Sequence, residues 1–236
     1  MNARAVGACV FDAYGTLLDL SSAVAPYAAS LGEAAAPLLA LWRRKQLEYT
    51  WLRTLMGRHA DFETVTRDAL GYALEAIGDQ APGMPFSAGA PVELETRLGD
   101  AFRRLAAYPA AGPALSALRA AGIRTAVLSN GNPDMLRDAF DHAGLTPVLD
   151  RVLSVQPLGV YKPSPLVYAL ASEALEIEAT RIVFVSGNAW DAAGAANAGL
   201  RAVLIDPAGA PPERLPAPPA ATIRSLAELP ALVLGW

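Results

Sequence analysis

The strongest constraint on the fold is a set of four short apolar runs, residues 5–11, 124–128, 181–185 and 201–205, each ending in small or polar residues. They are rich in Val, Ile, Phe or Ala, and runs of this length between turn-prone residues read as buried strands. A weaker short strand fits residues 151–155. Helical patterns lie between the later runs. Residues 113–121 close on Gly122, and residues 133–143 open with proline in the first turn and end at Gly144. Residues 164–176 follow, then residues 190–198 with Gly199 behind them. Parallel strands need crossover connections of a dozen residues or more, and helices then cover both faces of the sheet.

One stretch breaks the alternation. From residue 19 to residue 108 the sequence is helical in character, with patterns at 34–56, 62–77 and 92–105 and a Gly/Pro-rich loop at 78–91. The expected architecture is therefore α/β: a Rossmann-like parallel-sheet core from residues 1–18 and 106–236, plus an all-helical cap of residues 19–105 inserted after the first strand. Residues 207–221, rich in Pro and Ala, read as an exposed loop before a last short helix near 225–233. There are no internal repeats.

Composition narrows the function. Of 236 residues, 53% are hydrophobic and 18% charged, enough apolar material for a sizeable core. The net charge of −4 and the lack of a long basic run argue against nucleic acid as a partner. A small anionic ligand would need locally placed Arg or Lys. The single Cys9 excludes an intrachain disulfide or a cysteine-rich zinc site, and its apolar surroundings suit a core residue. No secretory leader and no membrane span are expected, so a cytoplasmic location is the default. The sequence has no G-x-S-x-G, no Walker-type phosphate loop and no G-x-G-x-x-G.

Ligands of open α/β sheets bind beyond the carboxyl ends of the strands. There the sequence places Asp12-Ala13-Tyr14-Gly15-Thr16, Ser129-Asn130-Gly131, Val160-Tyr161-Lys162-Pro163 and Ser186-Gly187-Asn188-Ala189-Trp190-Asp191. Carboxylates, serines, asparagines and a lysine would thus converge on one rim. By residue type alone, each also fits a turn, a helix cap or a packing role.

In the order and content of these four motifs, and in the cap stretch Leu41-Trp42-Arg43-Arg44-Lys45-Gln46-Leu47-Glu48-Tyr49-Thr50-Trp51-Leu52-Arg53, the sequence resembles the haloacid dehalogenase superfamily. Within it the closest resemblance is to the L-2-haloacid dehalogenases, and it covers nearly the whole chain. The resemblance implies that Asp12 is a nucleophile attacking the halogen-bearing carbon of a small 2-haloalkanoic acid, to leave an aspartyl ester that water hydrolyses. It implies that Lys162 keeps Asp12 ionised and that Thr16 bonds it. Asp191, with Ser186 and Asn188, would position Lys162 and the hydrolytic water, and Tyr168 would reach the neighbourhood of the nucleophile. Ser129 and Asn130 would bind the substrate carboxylate and part of the leaving group. Arg43 would stabilise the departing halide ion, and Trp190 would turn its indole edge to it. Tyr14, Leu47 and Phe62 would be apolar pocket walls. A homodimer is compatible with the apolar cap helices. His59, His142, Arg44, Arg53 and Arg58 match no role and read as structural or surface residues.

Phosphatases of the same superfamily carry Asp-x-Asp in the first motif and Gly-Asp-x-x-x-Asp in the last. Here those extra acidic positions fall on Tyr14 and Gly187. Magnesium requires oxygen ligands in near-octahedral geometry, and such a site would be poorly supplied. No metal and no cofactor are therefore expected, and a phosphatase, a phosphonatase or a non-catalytic binding relative are the competing readings. Gly187 is also a departure from the dehalogenases, where a small side chain such as Ser is common, so a wider pocket or altered water position is expected there.

Overall fold

In the computed structural model, which describes residues 6–80 and 92–236, the chain opens with β1 (Ala8–Phe11) and a two-residue strand β2 (Leu18–Asp19). The insertion follows: a short helix α1 (Ala28–Leu31), then α2 (Ala35–Leu55), α3 (Phe62–Gln80) and α4 (Val92–Ala101). A second two-residue strand, β3 (Ala106–Ala107), returns to the core. From there helix and strand alternate: α5 (Ala111–Ala120), β4 (Arg124–Ser129), α6 (Pro133–His142), β5 (Arg151–Ser154), α7 (Pro165–Leu175), β6 (Ile182–Ser186), α8 (Ala189–Asn197) and β7 (Arg201–Ile205). The chain ends with β8 (Ala221–Ile223) and α9 (Leu229–Leu234).

The core is one parallel sheet in the order β5-β4-β1-β6-β7-β8. β1 is central, its four residues wholly buried, with Phe11 opposite Val127 of β4 on one side and Val185 of β6 on the other. An apolar run without alternation is what burial on both sheet faces demands. The chain passes from β1 to β4 on one flank and later to β6 on the other, so a crevice opens at the carboxyl end of β1. Cys9 lies fully buried in this strand, and burial pushes its thiol up to about 12, which keeps it an un-ionised core residue.

The two crossings between core and cap are stitched together. Leu18 pairs with Ala107 and Asp19 with Ala106 in an antiparallel ladder, and Tyr108 N donates to Leu17 O at 2.9 Å. Within the cap, α2 buries Leu38, Trp42, Gln46 and Thr50, one residue per turn, against α3. Asp61 starts α3: Oδ1 accepts from Thr64 N and Oδ2 from Thr64 Oγ1, both at 2.9 Å. Several contacts dock cap on core. Asn132 Oδ1 accepts from Phe62 N at 2.8 Å, Tyr161 N donates to Thr54 Oγ1 at 3.1 Å, and Tyr161 Oη donates to Ala60 O. Arg103 bridges Asp138 of α6 at 2.7 Å and Glu63 of α3 at 2.8 Å.

The α/β core with a helical insertion is as the sequence predicts, with four corrections of detail. α3 runs through Gln80, so residues 78–80 are helical rather than loop; residues 81–91 lie outside the described residues. The helix begun at Val92 stops at Ala101, short of residue 105. Residues 207–220 are the mostly exposed loop that was expected, but an edge strand, β8, follows it and pairs with β7; a strand that short carries no readable alternation. The first strand begins at Ala8 rather than residue 5, and residue 5 also lies outside the described residues. Among the described residues, no helix is long and apolar enough to cross a membrane.

Candidate active site

Because β4, β1 and β6 are neighbours in register, Asp12 comes level with Ser186 at the carboxyl edge of the sheet, and Ser129 ends β4 one residue further along. Asp12 follows β1 directly, and its backbone N still donates to Val185 O at 3.0 Å, fixing where the side chain starts. The carboxylate is 6% exposed and accepts three hydrogen bonds. Oδ2 receives Thr16 Oγ1 at 3.0 Å and Asn188 Nδ2 at 2.9 Å, and Oδ1 receives Lys162 Nζ at 3.1 Å.

Lys162 is 1% exposed, so its side chain meets protein partners rather than bulk water. Besides Asp12, the ammonium donates to Asp191 Oδ2 at 2.9 Å and lies 4.8 Å from the centre of the Phe184 ring. Asn130 holds this loop, its Oδ1 accepting from Lys162 N at 3.1 Å. Asp191, fully buried in the first turn of α8, also accepts from Ser186 Oγ at 3.0 Å and from Tyr168 Oη at 2.7 Å. Burial raises the pKa of the Asp191 carboxyl, and Lys162 opposes that shift. Tyr168 is raised too, by burial and then by the Asp191 charge, so it stays a phenol donor.

Two glycines make these contacts geometrically possible. A Cβ at Gly194 on α8 would lie 2.5 Å from Tyr168 Oη and 2.8 Å from Pro163 Cβ, so only a bare backbone lets the phenol reach Asp191. A Cβ at Gly187 would lie 2.3 Å from Gly15 O. The close approach there lets Gly187 N donate to Thr16 Oγ1 at 2.9 Å, which in turn directs the Thr16 hydroxyl hydrogen to Asp12. The structure thus corrects the expectation of a wider pocket at Gly187: the space is filled by the Gly15 carbonyl.

From the cap, Arg43 on α2 is half-buried, and its Nη2 donates to Tyr14 O at 3.4 Å. The same carbonyl accepts from Asn188 Nδ2 at 3.4 Å, which places the guanidinium beside the nucleophile's loop. Burial lowers the Arg43 pKa, and the Asp12 charge opposes that. Leu47 and Trp51 lie one and two turns beyond Arg43 on the same face of α2, and the Trp51 ring meets Trp190 edge-on at 5.4 Å. Tyr14 stacks on Phe62 at 5.6 Å and lies 5.3 Å from Phe102, forming an aromatic wall between loop and cap.

The structure therefore brings Asp12, Thr16, Lys162, Tyr168, Ser186, Asn188 and Asp191 into one hydrogen-bonded cluster, with Arg43, Tyr14 and Phe62 alongside. Ser129 is fully buried, its Oγ accepting from Gly131 N at 3.2 Å, so in this state it shapes the loop after β4. His59 and His142 are exposed and outside the cluster, Arg44 and Arg58 are exposed, and Arg53 pairs with Asp68 at 2.7 Å on the surface. Sequence reasoning assigned no role to Gln46, Trp51, Thr66 or Gly194. The first two carried a signal, since they stand three and eight residues after Arg43 on the same helix.

The donor set does not fit a magnesium ion. Lys162 Nζ occupies the position between the Asp12 and Asp191 carboxylates, and Gly187 has no room for a side chain. Among the described residues, no three His, Cys, Asp or Glu side chains gather as a cation site.

A buried carboxylate gripped by an ammonium at the carboxyl edge of a capped parallel sheet defines a class, and comparison with known proteins agrees. Residues 6–199 match the family of haloacid dehalogenase-like hydrolases. The (S)-2-haloacid dehalogenase 1 of Pseudomonas sp. (strain CBS-3) is 46% identical over 229 residues, 97% of each chain. The (S)-2-haloacid dehalogenase 4A of Burkholderia cepacia is 44% identical over 94% of this chain and 92% of its own. The crystal structure of the L-2-haloacid dehalogenase of Xanthobacter autotrophicus with chloropropionic acid covalently bound superposes with a TM-score of 0.86, at 35% identity over 98% of this chain and 99% of that one. The chain belongs to the haloacid dehalogenase-like hydrolases and, within them, to the family of the (S)-2-haloacid dehalogenases.

Proposed function

We propose that this protein hydrolyses short (S)-2-haloacids to (R)-2-hydroxyacids without a metal ion, through an ester formed on Asp12. The observation that carries the reading is the Asp12 carboxylate held by Thr16, Asn188 and Lys162, with the ammonium anchored in turn on Asp191. A carboxylate held and oriented by a fixed cation, in a buried site, is a competent nucleophile toward carbon.

In the first step an Asp12 oxygen attacks C2 from the side opposite the halogen. The C–O bond forms, the carbon–halogen bond breaks, and halide leaves with the bonding pair next to Arg43, whose permanent charge meets the anion as it develops. Trp190, Leu47, Phe62 and Tyr14 supply the apolar surroundings, and Ser129 and Asn130 bind the substrate carboxylate and part of the leaving group. In the second step water attacks the carboxyl carbon of Asp12, not C2. The configuration at C2 is therefore inverted once, and the hydroxyl oxygen of the product comes from the enzyme. Asp191 takes one proton of that water and passes it to the alkoxide as the bond between the Asp12 carboxyl carbon and its ester oxygen breaks; the second proton leaves to solvent as Asp12 returns to a carboxylate.

In this reading residues 19–105 act as a cap unit over a core of residues 1–18 and 106–236, in the cytoplasm, as a homodimer. The outward apolar side chains Leu55 and Met56 at the end of α2, 83% and 63% exposed, support an association surface on the cap.

The test is a single turnover in oxygen-18 water with (S)-2-chloropropionate and excess chelator, followed by ion chromatography for chloride and mass analysis of the Asp12 peptide. Chloride release with label in the Asp12 carboxylate is the expected result. Label directly in the hydroxyacid, or turnover of a phosphate ester only with added Mg²⁺, would overturn the proposal.

A further inference from the structure

We infer that Gln46 is a positioning residue that sets both the direction and the undiminished charge of the Arg43 guanidinium; this rests on the assignment of Arg43 to the departing halide. Gln46 and Thr66 are both fully buried, so water cannot substitute for either side chain. Thr66 Oγ1 donates its single hydrogen to Phe62 O, one turn earlier in α3, at 2.6 Å. Toward Gln46 it can then only accept, and it does so from Nε2 at 2.7 Å. The amide is thereby oriented by its network, and its Oε1 faces Arg43 Nη1 at 2.6 Å. Trp42 Nε1 donates to Thr66 O at 2.8 Å and fixes the same turn of α3. A relay from the α3 backbone through Thr66 and Gln46 thus ends on the guanidinium, whose other arm touches Tyr14 O beside the nucleophile.

The neutrality of Gln46 matters as much as its geometry. A carboxylate at this position would accept the same hydrogen bond but pair with Arg43 and cancel part of its attraction for a leaving anion. An amide directs the guanidinium and leaves its charge for the substrate. Two of the five guanidinium donors are engaged this way, by Gln46 and Tyr14.

The experiment compares kcat/KM for (S)-2-chloropropionate and (S)-2-bromopropionate in the wild-type protein and in Gln46→Glu, Gln46→Met and Thr66→Val. The chloride is the poorer leaving group and depends more on Arg43. Gln46→Glu is expected to lower the chloro rate by about a hundredfold and Gln46→Met by about tenfold, with a smaller loss for the bromo acid. The bromo-to-chloro ratio therefore rises severalfold. A merely structural loss of folded enzyme lowers both rates equally and leaves the ratio alone. Thr66→Val keeps Gln46 and its volume but removes the group that orients the amide, so its ratio shifts the same way by less, and it reports even where the Gln46 variants fold poorly. Wild-type turnover with an unchanged ratio in these variants would overturn the inference alone. A wild-type protein releasing neither halide would sink the dehalogenase reading, and this inference with it.

Discussion

The Gly15 carbonyl oxygen stands 2.3 Å from where a Cβ of Gly187 would be, so the first and last loops of the site touch backbone to backbone. That contact brings Gly187 N to Thr16 Oγ1 and turns the threonine hydroxyl onto Asp12. Gly187→Ser would force the Gly15–Thr16 backbone away, since the obstructing atom is a carbonyl rather than a flexible side chain. Overpacking of this kind costs about 1–3 kcal/mol, and a displacement of about 1 Å at the nucleophile can cost up to about a hundredfold in rate. The expected outcome is a lower melting temperature together with at least a tenfold loss of kcat/KM (about the lower end of that range). Steady-state kinetics beside thermal unfolding check it; wild-type activity in the variant would show that the loops yield freely.

Lys162 lies between two buried carboxylates, 3.1 Å from Asp12 and 2.9 Å from Asp191. Lys162→Met leaves them facing each other. Breaking a buried ion pair by removing one partner costs about 3–5 kcal/mol, and activity should vanish. The pH dependence has a definite sign. Asp191 already has a raised pKa in the folded protein because burial outweighs the Lys162 charge, and the variant loses that opposing charge. The penalty for ionising it grows as pH rises through the unfolded-state carboxylate range and fades as pH falls below it. Denaturant unfolding from pH 4 to pH 8 should therefore show the variant losing most stability at the upper end. Adding Asp191→Asn should restore stability without restoring turnover. A pH-independent deficit in the single variant would contradict this account.

How much of this was legible beforehand follows from the range of the interactions. β1, β4, β6 and β7 were readable because burial on both faces writes an uninterrupted apolar run, and Asp12, Ser129, Ser186 and Lys162 could be placed because each follows a strand or precedes a helix. The resemblance supplied roles for Arg43 and Trp190, which lie far apart in sequence and on different elements. What stayed hidden was short or relational. β8 has three residues and, among the described residues, one partner. Gln46 reads as one more polar residue on a helix until Thr66, twenty residues on, is seen against it. Gly187 reads as a missing side chain, and only the folded chain shows that Gly15 O takes its place. The pairing of β2 with β3 joins segments nearly ninety residues apart through two residues each, beyond any local pattern.

The start of α3 offers a stability test away from the chemistry. Asp61 accepts from Thr64 N and Thr64 Oγ1, and from Asn132 Nδ2 at 3.3 Å. Burial alone would raise its pKa, but these hydrogen bonds outweigh burial and hold it below the usual carboxylate range. A depressed folded-state pKa means that the stabilisation is complete above the unfolded-state value and is lost as pH falls through the folded one. Asp61→Ala should cost about 1 kcal/mol at neutral pH, the usual cost of removing a helix cap. The gap to wild type should narrow only in strongly acid solution, as read by denaturant midpoints. A gap that stayed constant down to pH 2 would show that the charge plays no part.

Tyr14 gives the opposite sign. Tyr14 is 2% exposed and stacks on Phe62, yet its buried hydroxyl has no hydrogen-bond partner among the described residues and abuts Gly131, where a Cβ would lie 3.0 Å from the oxygen. A buried unsatisfied polar group costs about 1–3 kcal/mol. Tyr14→Phe removes that group while keeping the ring, the stacking and the main-chain carbonyl that Arg43 and Asn188 share. The variant should therefore unfold at a higher denaturant concentration than wild type, with kcat/KM for a 2-haloacid nearly unchanged. If the hydroxyl instead bonds the substrate or an ordered water, stability will not rise and kcat/KM will fall. The two measurements together separate a residue that is only a wall of the site from one that acts in it.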